Sequence, residues 1–116
     1  MNMTEEITNK GALIEQLIDL AAQTAIVHHI PGRIRLKVNL PGLLLAKDLD
    51  ASDLMKYFKG IQDARANVAA RSIVINYDER VIDPAFWELL VNGKKDPELK
   101  RSVRQQLEEL SKPLTK

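Results

Sequence analysis

No cysteine occurs among the 116 residues of the chain. Its absence excludes disulfide bonds, thiolate nucleophiles and every metal site that is built on thiolates. Long apolar runs are also lacking, since no stretch approaches the roughly 20 residues that a membrane-spanning helix needs. The first residues are acidic and no small-residue cleavage site follows an apolar run, so the sequence shows no secretory signal. We therefore expect a cytoplasmic protein without a membrane span.

A large excess of charge is missing as well. The formal net charge is +1, so no overall field attracts nucleic acid or an anionic membrane. The sequence contains neither a glycine-rich phosphate loop nor a metal-protease motif. Its serine and threonine residues fall at positions typical of helix caps, and its carboxylates fall on helix faces and in turns. We therefore expect a binding module and not an enzyme.

The clearest positive signal is the strict alternation of basic and apolar residues from Arg33 to Val38. A period of two is typical of a half-buried strand. It predicts a basic face and an apolar face: Arg33, Arg35 and Lys37 against Ile34, Leu36 and Val38. The two histidines of the chain, His28 and His29, precede this strand on a short apolar lead-in. Pro31 and Gly32 separate the lead-in from the strand and predict a kink or bulge.

Turn and capping signals divide the rest of the chain. Helices are predicted in four places: residues 4–22, from Asp50 or Ser52 towards Gly60, after Asp83-Pro84, and after Asp96-Pro97. Two further strands are predicted, a weak one over residues 64–70 and a strong one over residues 72–77. Pro41-Gly42 is expected to end the first strand. Leu43 to Leu45 are then expected in a buried loop or a short helical turn, with an exposed contact patch as the alternative.

The resulting order is helix, strand, helix, strand, strand, helix, helix. Its central part is most of the split βαβ pattern of a ferredoxin-like domain. We therefore predict an α+β, ferredoxin-like fold with three main strands and an extra helix at each end. A helix stands where the fourth strand of that pattern would come. The predicted divisions are a helical flank over residues 1–24, the domain over residues 25–93, and an amphipathic helix over residues 94–116.

The run from His28 to Val38, followed by residues 72–78 and 82–87, resembles the variant heavy-metal-associated domains. These domains occur alone or at the N-termini of some metal-transporting P-type ATPases, and the resemblance covers about residues 25–93. In the variants a histidine recurs four residues before the glycine of a Pro-Gly-Arg element. That histidine is His28 in this sequence, and Arg33 and Arg35 also match.

The resemblance implies a role in metal handling, but one feature departs from the family. Typical members hold soft ions with a Cys-x-x-Cys loop after the first strand, and this chain has Pro41-Gly42-Leu43-Leu44-Leu45 in that region. The remaining ligand candidates are His28 and His29, because imidazole suits transition-metal ions and heme iron. Adjacent residues of extended chain point to opposite faces. A full site would therefore need a carboxylate from elsewhere or a second copy of the chain, and the leucine run could line an apolar heme pocket.

The basic residues Arg33, Arg35 and Lys37 should face away from the helices. A nucleic-acid surface would want aromatic side chains among them for base stacking, and none is predicted there. Contact with an anion or an acidic partner is one interpretation of the row. A solvated face or ion pairs within the chain is the other.

Two functions follow from the sequence. The first is a small module that binds a transition-metal ion or heme through His28, with His29 as the weaker candidate, and serves a metal-transporting membrane protein. The second is a ligand-free interaction module that binds another protein or forms a homodimer through an open sheet edge or the terminal helices. An uncovered edge next to a missing fourth strand would favour pairing with another chain.

Overall fold

The computed structural model describes residues 3–47, 49, 51–93 and 96–111. These residues form five helices and one sheet of four strands. The elements in chain order are α1 (Met3–Ala21), β1 (Thr24–Ile30), β2 (Arg33–Val38), α2 (Leu40–Lys47), α3 (Ala51–Tyr57), β3 (Ile61–Asn67), β4 (Ser72–Tyr77), α4 (Pro84–Asn92) and α5 (Pro97–Leu110). The predicted α+β class is confirmed.

The sheet has the strand order β1-β2-β4-β3, and every neighbouring pair is antiparallel. The elements β2, α3, β3, β4 and α4 follow one another in the split βαβ manner of a ferredoxin-like domain. The position beside β2 is taken by β1, which precedes it in the chain. The sheet is therefore completed by an N-terminal hairpin and not by a strand after α4.

The prediction of three strands is wrong, because the lead-in that carries the histidines is itself the strand β1. Pro31 and Gly32 form the turn of the β1–β2 hairpin, where Gly32 has a φ of +93°, a value that glycine adopts without strain. The Gly32 carbonyl accepts a hydrogen bond of 2.9 Å from the backbone N–H of Tyr77. This bond joins the hairpin turn to the end of β4.

The segment after β2 also differs from the prediction, since Pro41 and Gly42 do not form a turn. They lie in the first turn of α2, where proline is tolerated because its missing N–H has no partner there. The Asn39 side-chain oxygen accepts a 2.9 Å hydrogen bond from the Gly42 N–H, which starts the helix. The predicted helical turn is confirmed, yet Leu43 is buried while Leu44 and Leu45 are 60% and 37% exposed. Consecutive helical residues point in different directions.

Two predicted element limits need correction or fall outside the structure. The strand β3 begins at Ile61 and ends at Asn67, three residues before the predicted range at both ends. Gly60, with a φ of +90°, closes the loop directly before it, and residues 68–71 form the turn to β4. The helix α3 begins at Ala51, and Asp50 lies outside the described residues.

The core lies between one face of the sheet and the helices. The apolar side of β2 is buried there, as predicted: Ile34, Leu36 and Val38. Ile73, Ile75 and Tyr77 of β4 are buried in the same layer. Both terminal helices contribute to the same cluster, for example Ile18 of α1 and Leu107 of α5. Within the described part of the chain, no helix is both long and apolar enough to span a membrane.

Capping explains where α4 and α5 begin. The Asp83 carboxylate accepts a 2.9 Å hydrogen bond from the Ala85 N–H, and Asp96 accepts one of 2.9 Å from the Glu98 N–H. Each aspartate is followed by a proline in the first helical turn. Both predicted helix starts are confirmed. The helix α4 packs against β1 and β4.

Two glycines provide a matched test of the backbone. Gly11 lies within α1 with no atom within 4 Å of an added Cβ, so Gly11→Ala should raise the free energy of unfolding by about 0.5–1 kcal/mol. At Gly60 an added Cβ would lie 2.9 Å from Ile82 Cγ1 and 3.0 Å from Val81 Cβ, and Gly60→Ala should lower it by about 1 kcal/mol or more. Urea denaturation of both variants measures this. Changes of the same sign would contradict the described backbone.

An ion pair between α1 and α5 predicts a pH dependence. Arg104 donates to Glu15 from Nε at 2.7 Å and from Nη2 at 3.0 Å, and these hydrogen bonds hold the pKa of Glu15 below its ordinary value. Because the pKa of Glu15 is lower in the folded state than in the unfolded state, the pair stabilises the fold fully at pH values above the unfolded-state pKa. That stabilisation is lost as the pH falls through the folded-state pKa. Because the pair is exposed, its coupling should be at most about 1 kcal/mol near pH 7.

A double-mutant cycle with Glu15→Gln and Arg104→Gln measures this coupling. The coupling measured in acid should be smaller than the coupling near pH 7, because protonation of Glu15 removes its charge. An equal coupling at both pH values would show that the pair is held by packing and not by charge.

Candidate functional site on the first hairpin

The register of the β1–β2 hairpin places the two histidines on opposite faces of the sheet. His28 pairs with Arg35, and His29 pairs with Ile34. Residues paired across strands share a face, so His29 lies on the helix side with the buried Ile34. His28 lies on the uncovered side with Arg35. We call this side the open face, to which the strand register assigns Ala25, His28, Ile30, Arg33, Arg35, Lys37, Asp63, Arg65, Asn67, Ser72, Val74 and Asn76.

His29 is held by contacts at both of its ring nitrogens. Its Nδ1 lies 3.0 Å from Glu88 Oε2 on α4, and its Nε2 lies 2.7 Å from the Tyr77 hydroxyl on β4. Only 10% of its side chain is exposed. The ring therefore links β1, β4 and α4.

The chemistry of its partners constrains the proton positions on this ring. A carboxylate only accepts hydrogen bonds, so with Glu88 ionised the His29 Nδ1 carries a proton. Burial raises the pKa of the Tyr77 phenol above its ordinary value, and the charges of nearby carboxylates add to that effect. The phenol is therefore a neutral hydroxyl that can donate to Nε2 of a neutral His29. In this state neither ring nitrogen is available to a metal.

His28 has a different environment. Its side chain is exposed, and its ring forms no hydrogen bond or ion pair with another residue of the described chain. The neighbour across the hairpin is Arg35, with Arg33 and Lys37 further along β2. The structure thus presents one exposed imidazole, that of His28, beside the cations of β2.

The structure does not bring the two histidines together, although one carboxylate oxygen, Glu88 Oε2, lies 3.0 Å from His29 Nδ1. No group of three or more His, Asp or Glu side chains with metal-binding geometry occurs among the side chains that the structure describes, those of residues 11–47, 49, 52–93 and 96–111. The expectation that a full site needs donors from elsewhere therefore stays a prediction.

The sequence suggested that Leu43 to Leu45 could line an apolar heme pocket beside a histidine. The apolar cavity of the domain measures about 70 Å³ and lies in the core, with Leu36, Ile75 and Trp87 among its walls. None of the three leucines belongs to the lining residues. The cavity is on the helix side of the sheet and His28 is on the other, so this cavity joins neither the leucines nor His28.

The basic row lies where the sequence predicted. Arg33, Arg35 and Lys37 are exposed on β2 and pair with Asn76, Val74 and Ser72 of β4. Within the described residues, no carboxylate lies within 4.0 Å of any of the three cations. Ion pairs within this part of the chain therefore do not account for the row. A solvated face and an anionic partner remain as interpretations.

The model of a family described as heavy metal associated domain 2 matches residues 17–114. The chain belongs to this family. The match confirms the resemblance seen around His28 and extends beyond the expected range to include α5. Comparisons with curated proteins and with solved structures gave no match.

Membership of the heavy metal associated domain 2 family makes metal handling the general role to consider for the open hairpin. Sequence reasoning missed the two residues that hold His29. Tyr77 lies 48 residues from His29 in sequence, and Glu88 lies 59 residues away. No local signal in the sequence indicates either pairing.

The different surroundings of the histidines predict different costs of removing them. His29→Ala should lower the free energy of unfolding by about 1–3 kcal/mol, because it leaves the buried Tyr77 hydroxyl without its partner. Tyr77→Phe, which keeps the ring, should cost about 1 kcal/mol. The exposed His28→Ala should change stability by less than about 0.5 kcal/mol. Urea denaturation checks all three, and an equal loss for both histidine variants would contradict the assigned faces.

Proposed function

We propose that this heavy-metal-associated domain binds a transition-metal ion or heme through His28. The observation that carries the proposal is the open ring of His28, while both nitrogens of His29 are engaged by Glu88 and Tyr77. His28 is also the histidine that the resemblance to the variant domains points to. The role of His29 would then be to hold β1 against the core, so that the strand presents His28 to the outside.

The surroundings of His28 favour one class of ligand. A single imidazole binds a bare divalent ion weakly, and the guanidinium of the paired Arg35 repels a cation further. Heme brings four nitrogen donors of its own and needs only an axial ligand from the protein. Its propionate carboxylates would also be stabilised by arginine. Heme is therefore the better fit, and a bare ion would require donors from a partner.

The exposure of His28 suits a ligand that is passed on to another protein. We propose a non-enzymatic module in the cytoplasm that delivers its ligand to a metal-transporting membrane protein. A buried ligand would need the domain to open before release. A ligand on the open face could be transferred when a partner approaches that face.

Self-association through a sheet edge is the alternative function, and the geometry of the edges opposes it. The edge strand β1 has a register shift between Ile26 and His28, and the other edge strand, β3, has one between Ile61 and Asp63. Bulges of this kind bend an edge and protect it against pairing with another chain. The apolar sides of α1 and α5 also pack within their own domain.

Titration of the metal-free protein with hemin, zinc, copper and nickel tests the proposal. Absorbance follows hemin and calorimetry follows the ions. We expect saturable binding of hemin that is lost in His28→Ala and retained in Tyr77→Phe, because the second variant disturbs only the His29 contact. Lys56→Ala removes a cation from α3, away from the open face, and serves as a further control.

Loss of binding in His29→Ala with retention in His28→Ala would show that the ligand binds His29, and this would contradict the proposal. The absence of binding by the wild-type protein for all four ligands would also contradict it.

A further inference from the structure

The open face carries an excess of positive charge that the described chain does not neutralise. It holds four permanent cations, Arg33, Arg35, Lys37 and Arg65, and one carboxylate, Asp63. Asp63 Oδ2 accepts a 2.9 Å hydrogen bond from Arg65 Nε. Among the described side chains, those of residues 11–47, 49, 52–93 and 96–111, no carboxylate lies within 4.0 Å of the three cations of β2.

This charge is concentrated on one side of the molecule. The face contributes +3 to a formal net charge of +1, which leaves −2 for the rest of the sequence. A general attraction for polyanions would need an overall field, which is lacking here. The face can therefore attract acidic groups only at close range, where a partner of matching shape brings them into contact.

The spacing of the three cations on β2 determines which kind of acidic partner can contact all of them. Arg33, Arg35 and Lys37 are alternate residues of one strand, so their Cα atoms follow one another at about 7 Å. An extended peptide carries its alternate side chains at the same spacing on one side. Asp or Glu at alternate positions of such a peptide would each meet one cation. The neutral donors Ser72 and Asn76 of β4 adjoin the row.

We infer that the open face of the sheet is a docking surface for an extended acidic segment of a partner protein, with carboxylates at alternate positions. Arg33, Arg35 and Lys37 contact these carboxylates, and the groove that Arg35 and Arg65 flank over Val74 receives the chain. The inference does not depend on the proposed function, because docking requires no ligand at His28. A segment bound to Arg35 would nevertheless pass beside His28.

Other polyanions fit this surface less well. Single-stranded nucleic acid binds on aromatic side chains that stack the bases, and the strand register assigns no Phe, Tyr or Trp to the described open face. An anionic membrane attracts clusters of about four to eight Lys and Arg residues, whereas the three cations that lack an ion-pair partner among the described side chains form a single row along β2.

Fluorescence anisotropy of a labelled peptide tests the inference on the metal-free protein. The probe is a peptide of alternating Glu and Thr, and the comparison peptide has the same composition with its glutamates in one block. We expect saturable binding of the alternating peptide that weakens as salt is added. Removing three exposed ion pairs in Arg33→Gln/Arg35→Gln/Lys37→Gln should weaken it about tenfold.

A matched control removes the same charge from the helix side. Lys56→Gln/Lys100→Gln/Arg101→Gln changes described side chains of α3 and α5 and should alter the affinity by less than about twofold. Circular dichroism is the measurement that checks whether both triple variants fold.

Four results would overturn the inference. The first is no binding of the alternating peptide, and the second is equal weakening by the two triple variants. The third is equal binding of the peptide with its glutamates in one block, which would show that the spacing of the carboxylates does not determine binding. Binding to phosphatidylserine vesicles in place of the peptide would assign the face to a membrane and would also overturn it.

Discussion

Neighbouring residues of a β-strand point to opposite faces of the sheet, and the two histidines of this domain are neighbours. Once β1 is paired with β2, one imidazole must face the helices and the other must face away. The register resolves the choice, because His29 pairs with the buried Ile34 and His28 pairs with Arg35. This single constraint makes His29 the structural histidine and leaves His28 open to the outside.

The structural histidine gives the hairpin its place in the domain. His29 bonds to Tyr77 on one side and to Glu88 on the other, while the Gly32 carbonyl receives the Tyr77 N–H. Tyr77 also lies against Trp87, with ring centroids 5.2 Å apart. The edge strand is thus fixed to the centre of the fold through side-chain and backbone contacts, and the surface that it presents is fixed with it.

Much of this architecture was predictable where the chain carries a local signal. The alternation in β2 and the aspartate–proline starts of α4 and α5 are examples, since both patterns act over a few residues. The strand β1 was missed because Val27 to Ile30 has no alternation of apolar and polar residues. The partners of His29 were missed because packing of distant segments decides them. His28 was identified through its match to the family element, and its open surroundings required the structure.

The central claim is that His28 is free and His29 is held, and NMR of the imidazole nitrogens tests it most directly. Long-range proton–nitrogen spectra of the metal-free protein should show one ring with a protonated Nδ1 fixed in a single tautomer, assigned to His29. The other ring, assigned to His28, should average between tautomers through exchange with water, and its signals should disappear in His28→Ala. Two averaging rings, or a fixed tautomer for His28, would contradict the account.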